Sequence, residues 1–214
     1  MRIKLAVICC LHAPFLWASE VPKPVNITRD QPGVRVMHQG KPFVIERHPD
    51  TDNMIDPDFS LTSRPCPPYC IQPMQLAPGV ETLGELEVID YLKRAVTDHS
   101  ILVIDSRDGD WPQRSGVIPG AALIPWHELH PSRNEPENIA EILVLRFGAV
   151  RVGGLWNFEN ARTLIFYCNG PWCGQSPTNI KQLLAYGYPA HKLKWYRGGM
   201  QDWKALGIST APAK

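Results

Sequence analysis

Leu164-Ile-Phe-Tyr-Cys168-Asn-Gly-Pro-Trp-Cys173-Gly-Gln-Ser176-Pro177 is the stretch on which the reading of this chain turns. Four consecutive apolar residues, two of them aromatic, predict a strand covered on both faces, as in the middle of a parallel sheet. Asn169, Gly170, Pro171 and Gly174 break that run. Ser176 followed by Pro177 reads as a helix start, because a serine hydroxyl can accept an unpaired amide proton and proline loses nothing at the first helical position. Cys168 is thereby expected at the carboxyl end of a strand, facing a helix amino terminus. Converging N–H groups there favour an anion, which can be a bound oxyanion, a thiolate or a persulfide.

Working outward, the 214 residues suffice for one domain with a sizeable appendage, and the formal net charge of +1 gives no reason to expect nucleic acid. Residues 1–19 read as a signal peptide. Arg2 and Lys4 precede the apolar run at residues 5–11, and small residues surround a cut after Ala18 or Ser19. No other stretch approaches the roughly 20 apolar residues that span a bilayer, so no stable membrane insertion is expected. The expectation is therefore a periplasmic or secreted protein. Cys9 and Cys10 leave with the signal, and the mature chain keeps Cys66, Cys70, Cys168 and Cys173 in an oxidising compartment.

Residues 20–80 form a proline-rich extension. Val34-Arg-Val-Met37 and Pro42-Phe-Val-Ile-Glu46 predict a β-hairpin, and residues 47–58 a surface loop or linker. In Arg64-Pro-Cys66-Pro-Pro-Tyr-Cys70-Ile-Gln-Pro73 the prolines exclude a helix. Cys66 and Cys70 can be a local disulfide, a redox pair or half of a metal site, though the spacing and the prolines argue against zinc. The scattered histidines offer no convincing ligand pair, and no metal and no cofactor is expected.

From residue 81 helices and strands alternate, which implies an α/β domain with a central parallel sheet and helices on both faces. A helix is predicted over residues 84–95, carrying Leu86, Ile89, Tyr91 and Leu92 at helical spacing, and strands at Ile101-Leu-Val-Ile104, Ala121-Ala-Leu-Ile124 and Lys192-Leu-Lys-Trp-Tyr196. Residues 139–147 read as a helix and Gly153-Gly154 as a loop hinge. A further helix follows Ser176 and is closed by Gly187, and a short one carries Trp203. Such sheets bind ligands beyond the carboxyl ends of their strands, the edge to which Asp105, Arg107 and Cys168 belong. Trp111 and Trp126 are read as rim packing.

Over residues 81–210 the chain resembles the rhodanese superfamily. Ile101-Leu-Val-Ile-Asp105-Ser-Arg107 resembles the family's strand ending in Asp-x-Arg. Gly116-Val-Ile-Pro-Gly120-Ala is similar to its Gly-His-Ile-Pro-Gly-Ala segment, with Val117 in the histidine's place. Tyr167-Cys168, a loop, a serine and a helix resemble its active-site unit, and residues 193–203 with Gly198-Gly199 its carboxyl-terminal signature. The resemblance implies a rhodanese-like fold and sulfur transfer. Cys168 would take a sulfane sulfur from a donor, hold it as a persulfide, and pass it to a thiol acceptor such as a protein thiol. Asn169, Gly170, Pro171, Trp172, Gly174, Gln175 and Ser176 would form the substrate-binding loop, with Asp105 and Arg107 as structural support.

Two departures stand out. Ser176 follows Cys168 by eight positions, about two more than is usual in the family, and the loop holds no Arg or Lys to pair with a dianion such as thiosulfate. Related phosphatases end this loop in arginine; Gly174 and Gln175 stand there instead. The addition is Cys173, which can be a resolving thiol that closes a disulfide on Cys168 or a small buried hydrophobe. A sulfurtransferase or persulfide carrier is the leading expectation, with a Cys168/Cys173 redox protein and a non-catalytic binding module as the alternatives.

Overall fold

The computed structural model describes residues 23–213, so the expected signal segment lies outside the described residues. Strands β1 (Gly33–His38) and β2 (Lys41–Glu46) form the antiparallel hairpin predicted for the extension, pairing Gly33 with Glu46 and His38 with Lys41. Gln39 and Gly40 turn it with positive φ angles of 50° and 76°, which suits the twist of a two-residue hairpin loop. A four-residue helix α1 (Pro57–Ser60) buries Phe59.

Next come β3 (Glu81–Leu83) and α2 (Glu85–Arg94). The Glu87 carboxylate accepts from the Gly84 amide at 3.1 Å, satisfying one orphan donor at the start of α2. The buried face of α2 is Val88, Ile89 and Leu92, whereas Leu86, expected on that face, is 50% exposed. The chain continues through β4 (Ile101–Asp105), α3 (Trp111–Ser115), β5 (Ala122–Leu123) and α4 (Pro136–Glu141). The helix expected over residues 139–147 is α4 running into a π-turn at Ile142–Arg146. Gly153-Gly154, expected as a hinge, is instead the turn between β6 (Val150–Val152) and β7 (Leu155–Asn157), with φ of 56° and 82° at the two glycines. The central strand β8 (Thr163–Tyr167) leads to α5 (Gln175–Ala185), then β9 (Leu193–Tyr196) and α6 (Gly199–Ala205).

The sheet has the order β3-β9-β8-β4-β5, every neighbouring pair parallel and β8 in the middle. Because side chains alternate along a strand, β8 serves two cores. Leu164 and Phe166 pack with Ile180, Leu183 and Trp195, while Ile165 and Tyr167 pack with Val88, Leu92 and Trp203 on the other face. These four side chains are fully buried, each contributing roughly 1.5–3 kcal/mol by leaving water. Val34, Val36, Ile45 and Phe59 of the extension join the core that holds Tyr167. The extension therefore covers one face of the sheet rather than trailing from it. Among the described residues no helix is long and apolar enough to cross a membrane.

Candidate active site

The site grows from the carboxyl ends of β4 and β8, where Asp105 sits beside Tyr167 in the parallel ladder. The Arg107 guanidinium donates to both Asp105 carboxylate oxygens, through Nε at 2.9 and 3.1 Å and Nη2 at 2.6 Å. Its remaining donors meet Ser115 Oγ and the Gly116 carbonyl, each at 2.7 Å. Burial alone would lower the Arg107 pKa, but the adjoining Asp105 carboxylate holds it above its ordinary value. The Tyr167 hydroxyl donates to Asp105 at 2.9 Å and accepts from the Ile118 amide at 3.1 Å. The pair ties β4, β8 and the segment after α3 together beneath the cysteine loop. Removing one partner of such a buried pair costs about 3–5 kcal/mol.

Cys168 follows directly. Its backbone carbonyl accepts from the Met200 amide at 3.0 Å, and the Asn169 carbonyl accepts from Gln201 at 2.9 Å. The approach is so close that a Cβ on Gly199, where φ is +56°, would lie 2.3 Å from the Cys168 oxygen. That contact explains Gly199; a Cβ on Gly198 would instead meet the Asp202 side chain, 2.6 Å away.

The helix after the loop starts two residues earlier than expected, at Gln175 with Gly174 as its cap, so Ser176 is not the cap residue. Its hydroxyl has another task. Ser176 Oγ lies 3.2 Å from Cys168 Sγ and accepts the Trp195 indole N–H at 3.1 Å. An indole nitrogen only donates, so the serine's own proton is turned to the sulfur. Burial would raise the Cys168 pKa, but hydrogen bonds from the Cys173 thiol, the Ser176 hydroxyl and the Ser176 and Gly170 amides outweigh it and hold it below the ordinary thiol value. The Cys173 carbonyl, 3.4 Å from Cys168 Sγ, takes the proton when Cys168 carries one.

Cys173 has the opposite surroundings. Burial pushes its pKa well above the ordinary thiol value, and its hydrogen bond to Cys168 and the charge there add to that. Gln175 Oε1 lies 3.6 Å from Cys173 Sγ, and Gln175 Nε2 donates to Asp108 Oδ1 at 2.5 Å. Asp108 Oδ2 accepts the Trp126 indole N–H at 2.6 Å. An ionised carboxylate only accepts, so it fixes the amide with its oxygen toward Cys173. Cys168 is thus held below and Cys173 above the ordinary thiol value, so Cys168 is the more readily ionised of the two. Both cysteines are free.

Cys66 and Cys70, left open between three roles, form a disulfide. The segment it closes lies on the cysteine loop: the Gln72 amide donates to the Pro171 carbonyl at 2.8 Å, and Tyr69 meets Trp172 edge-on at 5.5 Å. The Arg64 guanidinium lies 3.8 Å over the Trp172 ring. The loop itself lacks a cation, yet the extension lays one against it. Trp172 Nε1 donates to Gln201 at 2.9 Å, and Gln201 donates to the Phe59 carbonyl at 2.9 Å.

A cleft of about 390 Å³ opens above the loop, lined by Tyr69, Trp111, Trp126 and Trp172 with Asp108 and Asn169 among its polar groups and Cys173 at its floor. Trp111 and Trp126 are thus cleft walls rather than rim packing. Cys168 is 2% exposed and does not border the cleft. Among the described residues no cluster of side chains could hold a metal ion.

The sequence pattern of the rhodanese-like domain matches residues 88–206, more than half of the 214-residue chain. The chain belongs to the rhodanese-like family. A search among curated proteins returned no match. Solved structures similar to this rhodanese-like chain include a Rhodopseudomonas palustris protein described as a possible tyrosine phosphatase. That pair shares 21% identity and a TM-score of 0.44, over 61% of this chain and 84% of the other. A Bacillus halodurans protein shares 20% identity at a TM-score of 0.39, over 62% and 77%. A thiosulfate sulfurtransferase from Pseudomonas aeruginosa shares 19% identity at 0.41, over 63% of this chain and 21% of its own length.

The expected loop residues, Cys168 to Ser176, do lie together at the end of the central strand of this rhodanese-like domain. Sequence reasoning missed Asp108, Trp195, Arg64 and Tyr69. Asp108 stands three positions past Asp105 in an irregular stretch, and only the fold brings it to Gln175. Tyr69 was visible as the aromatic inside the proline-bound cysteine pair.

Proposed function

We propose that Cys168 carries a sulfane sulfur as a persulfide and passes it to a thiol acceptor, with Cys173 as the resolving thiol. The observation that carries this reading is the Ser176 hydroxyl held on Cys168 Sγ by the Trp195 indole, with the Gly170 and Ser176 amides beside it. These groups favour a sulfur anion, and the thiolate is the reactive form. In loading, the Cys168 thiolate attacks the outer sulfur of a persulfide R–S–SH. A new S–S bond forms, the old one breaks, and RS⁻ leaves with the electron pair. RS⁻ takes up its proton from solvent. If the Cys173 thiolate then attacks the inner sulfur of Cys168–S–SH, hydrosulfide leaves and a Cys168–Cys173 disulfide remains, to be reopened by an external thiol.

Mass spectrometry of the reduced protein after inorganic polysulfide tests the reading: the peptide holding Cys168 should gain one sulfur atom, and an unchanged mass removes the proposal. The closeness of the two free cysteines, with the Cys173 carbonyl 3.4 Å from Cys168 Sγ, favours one further reading, thiol–disulfide exchange without sulfur transfer. Non-reducing peptide mapping should then find a reversible Cys168–Cys173 bridge that forms with no sulfur donor present.

Export belongs to the same proposal. It is supported by Arg2, Lys4 and the apolar run that follows, and by a Cys66–Cys70 bridge, which persists best outside the reducing cytosol. Amino-terminal sequencing of protein recovered from cells should begin just after Ala18 or Ser19; an intact Met1 would refute it.

A further inference from the structure

The cleft walls come from separate parts of the chain: Tyr69 from the disulfide segment, Trp111 from α3, Trp126 from the turn after β5, and Trp172 from the cysteine loop. Trp172 packs against Tyr69 and against Trp111, whose rings lie 5.5 and 6.2 Å away. Trp126 packs elsewhere, on His127 and His130, and is tied to Asp108. The space between these aromatic groups is left unfilled by the side chains of the described residues.

Asp108 is the one charged residue on the lining. The nearby cations sit over the indoles rather than on the lining: Arg64 over Trp172, Arg114 over Trp111 and Arg133 over Trp126. Arg114 is already paired with Asp58 and Asp110, each at 2.7 Å. Asn169, also on the lining, has a buried carboxamide oxygen with no partner among the described residues. A carboxylate and an unmet acceptor disfavour an anionic occupant and suit one that is neutral or donates hydrogen bonds. Aromatic walls favour a flat apolar body. The cleft is also far roomier than a small inorganic ion needs, since a water molecule's share of liquid volume is only about 30 Å³.

We infer that this cleft docks the sulfur acceptor, and that the acceptor is an organic thiol with a flat apolar body and no negative charge. The inference rests on the persulfide reading of Cys168. In the step itself the docked thiolate RS⁻ attacks the outer sulfur of Cys168–S–SH. The R–S–SH bond forms, the Cys168 sulfur–sulfur bond breaks, and Cys168 regains its thiolate and its hydrogen bonds. Cys173, at the cleft floor and in contact with Cys168, is the side chain that must turn aside.

The test loads Cys168 from inorganic polysulfide, removes the excess, and times loss of the added sulfur by mass spectrometry. The acceptors are benzyl mercaptan, 2-mercaptoethanol, 3-mercaptopropionate and sulfite, compared at equal concentrations of the reactive anion. Benzyl mercaptan should react about tenfold faster than 2-mercaptoethanol, the gain one aromatic contact can give. The carboxylate-bearing thiol and sulfite should be slower than both. Trp111→Ala should bring the ratio of the first two rates close to one. Since Trp111 also packs on Phe59, Trp126→Ala provides a second variant with the same expected result. Each ratio is taken within one preparation, so partial unfolding cancels. A wild-type ratio near one, sulfite as the fastest acceptor, or a ratio that survives in both variants would overturn the inference alone. Failure of polysulfide to load Cys168 would overturn the persulfide reading, and the inference with it.

Discussion

Ser176 directs its hydroxyl proton at Cys168 Sγ, 3.2 Å away, because the oxygen of that hydroxyl is already occupied by the Trp195 indole N–H. Direction is thereby fixed by a residue on another strand. Ser176→Ala should raise the pH midpoint of Cys168 alkylation by about one to two units, the worth of one hydrogen bond to a charged group. Trp195→Phe should give a smaller rise, since the serine can then rotate. An unshifted midpoint in Ser176→Ala would mean that the amides alone hold the anion.

The two cysteines should separate in a pH series. Cys168 has a depressed pKa, so its alkylation should persist below the ordinary thiol value of about 8.5 and fall only as pH drops through the folded value. Cys173 is raised, so it should stay unreactive as pH climbs past that value. The stability effects have opposite signs. The Cys168 contribution is present above the unfolded thiol pKa and lost as pH falls through the folded one. The Cys173 contribution is present below the unfolded pKa and lost as pH rises through the folded one. Mapping the alkylated peptides by mass spectrometry reads both.

Asp108→Asn should reverse the polarity at Cys173. The Trp126 N–H needs an acceptor, so the new amide must give it its oxygen and turn its NH₂ toward Gln175. Gln175 must then flip and present its own NH₂ to Cys173. A thiol that now faces a donor loses its proton more readily, and Cys173 alkylation at pH 8 should rise about tenfold or more. No increase would show that Gln175 does not set the proton's place.

Gly199→Ala should destabilise the domain by about 2–5 kcal/mol, combining a left-handed backbone with a Cβ driven into the Cys168 carbonyl. Urea denaturation measures it. The Gly153→Ala control has a positive φ but nothing within 4 Å of its added Cβ, and should cost only about 1–2 kcal/mol.

Reducing Cys66–Cys70 should lower stability by about 2 kcal/mol, the loop-entropy value for so short a closure. It should also speed hydrogen exchange at the Gln72 amide, whose acceptor is the Pro171 carbonyl. Exchange at Ile165, deep in the central strand, should respond only to the global loss of stability.

Periodicity and turn residues made the central strand, the hairpin at residues 33–46 and the helix after the loop legible, because each is dictated by local pattern. The site was legible as far as its backbone order: Cys168, the loop, Ser176 and the Asp105–Arg107 pair. What could not be read was side-chain direction. Ser176 looks like a cap in sequence, and only the placement of Trp195 on the neighbouring strand β9 turns its hydroxyl to Cys168. Leu86 fits the helical period yet faces solvent, since the core contact is made by Val88. Asp108 and Tyr69 reach the site through packing between segments distant in the chain, which no local pattern encodes.

The clamp of Arg64, Tyr69 and Gln72 over Trp172 and Pro171 bears on where this protein can be cut. The family pattern begins at residue 88, so a fragment trimmed to it would discard one wall of the cleft, the hairpin that covers a sheet face and the edge strand β3. Such a fragment would keep every residue of the cysteine loop and still present a different entrance to solvent. The family match marks most of the sheet, and the body that builds the candidate site begins 55 residues sooner, at Gly33 where the hairpin starts.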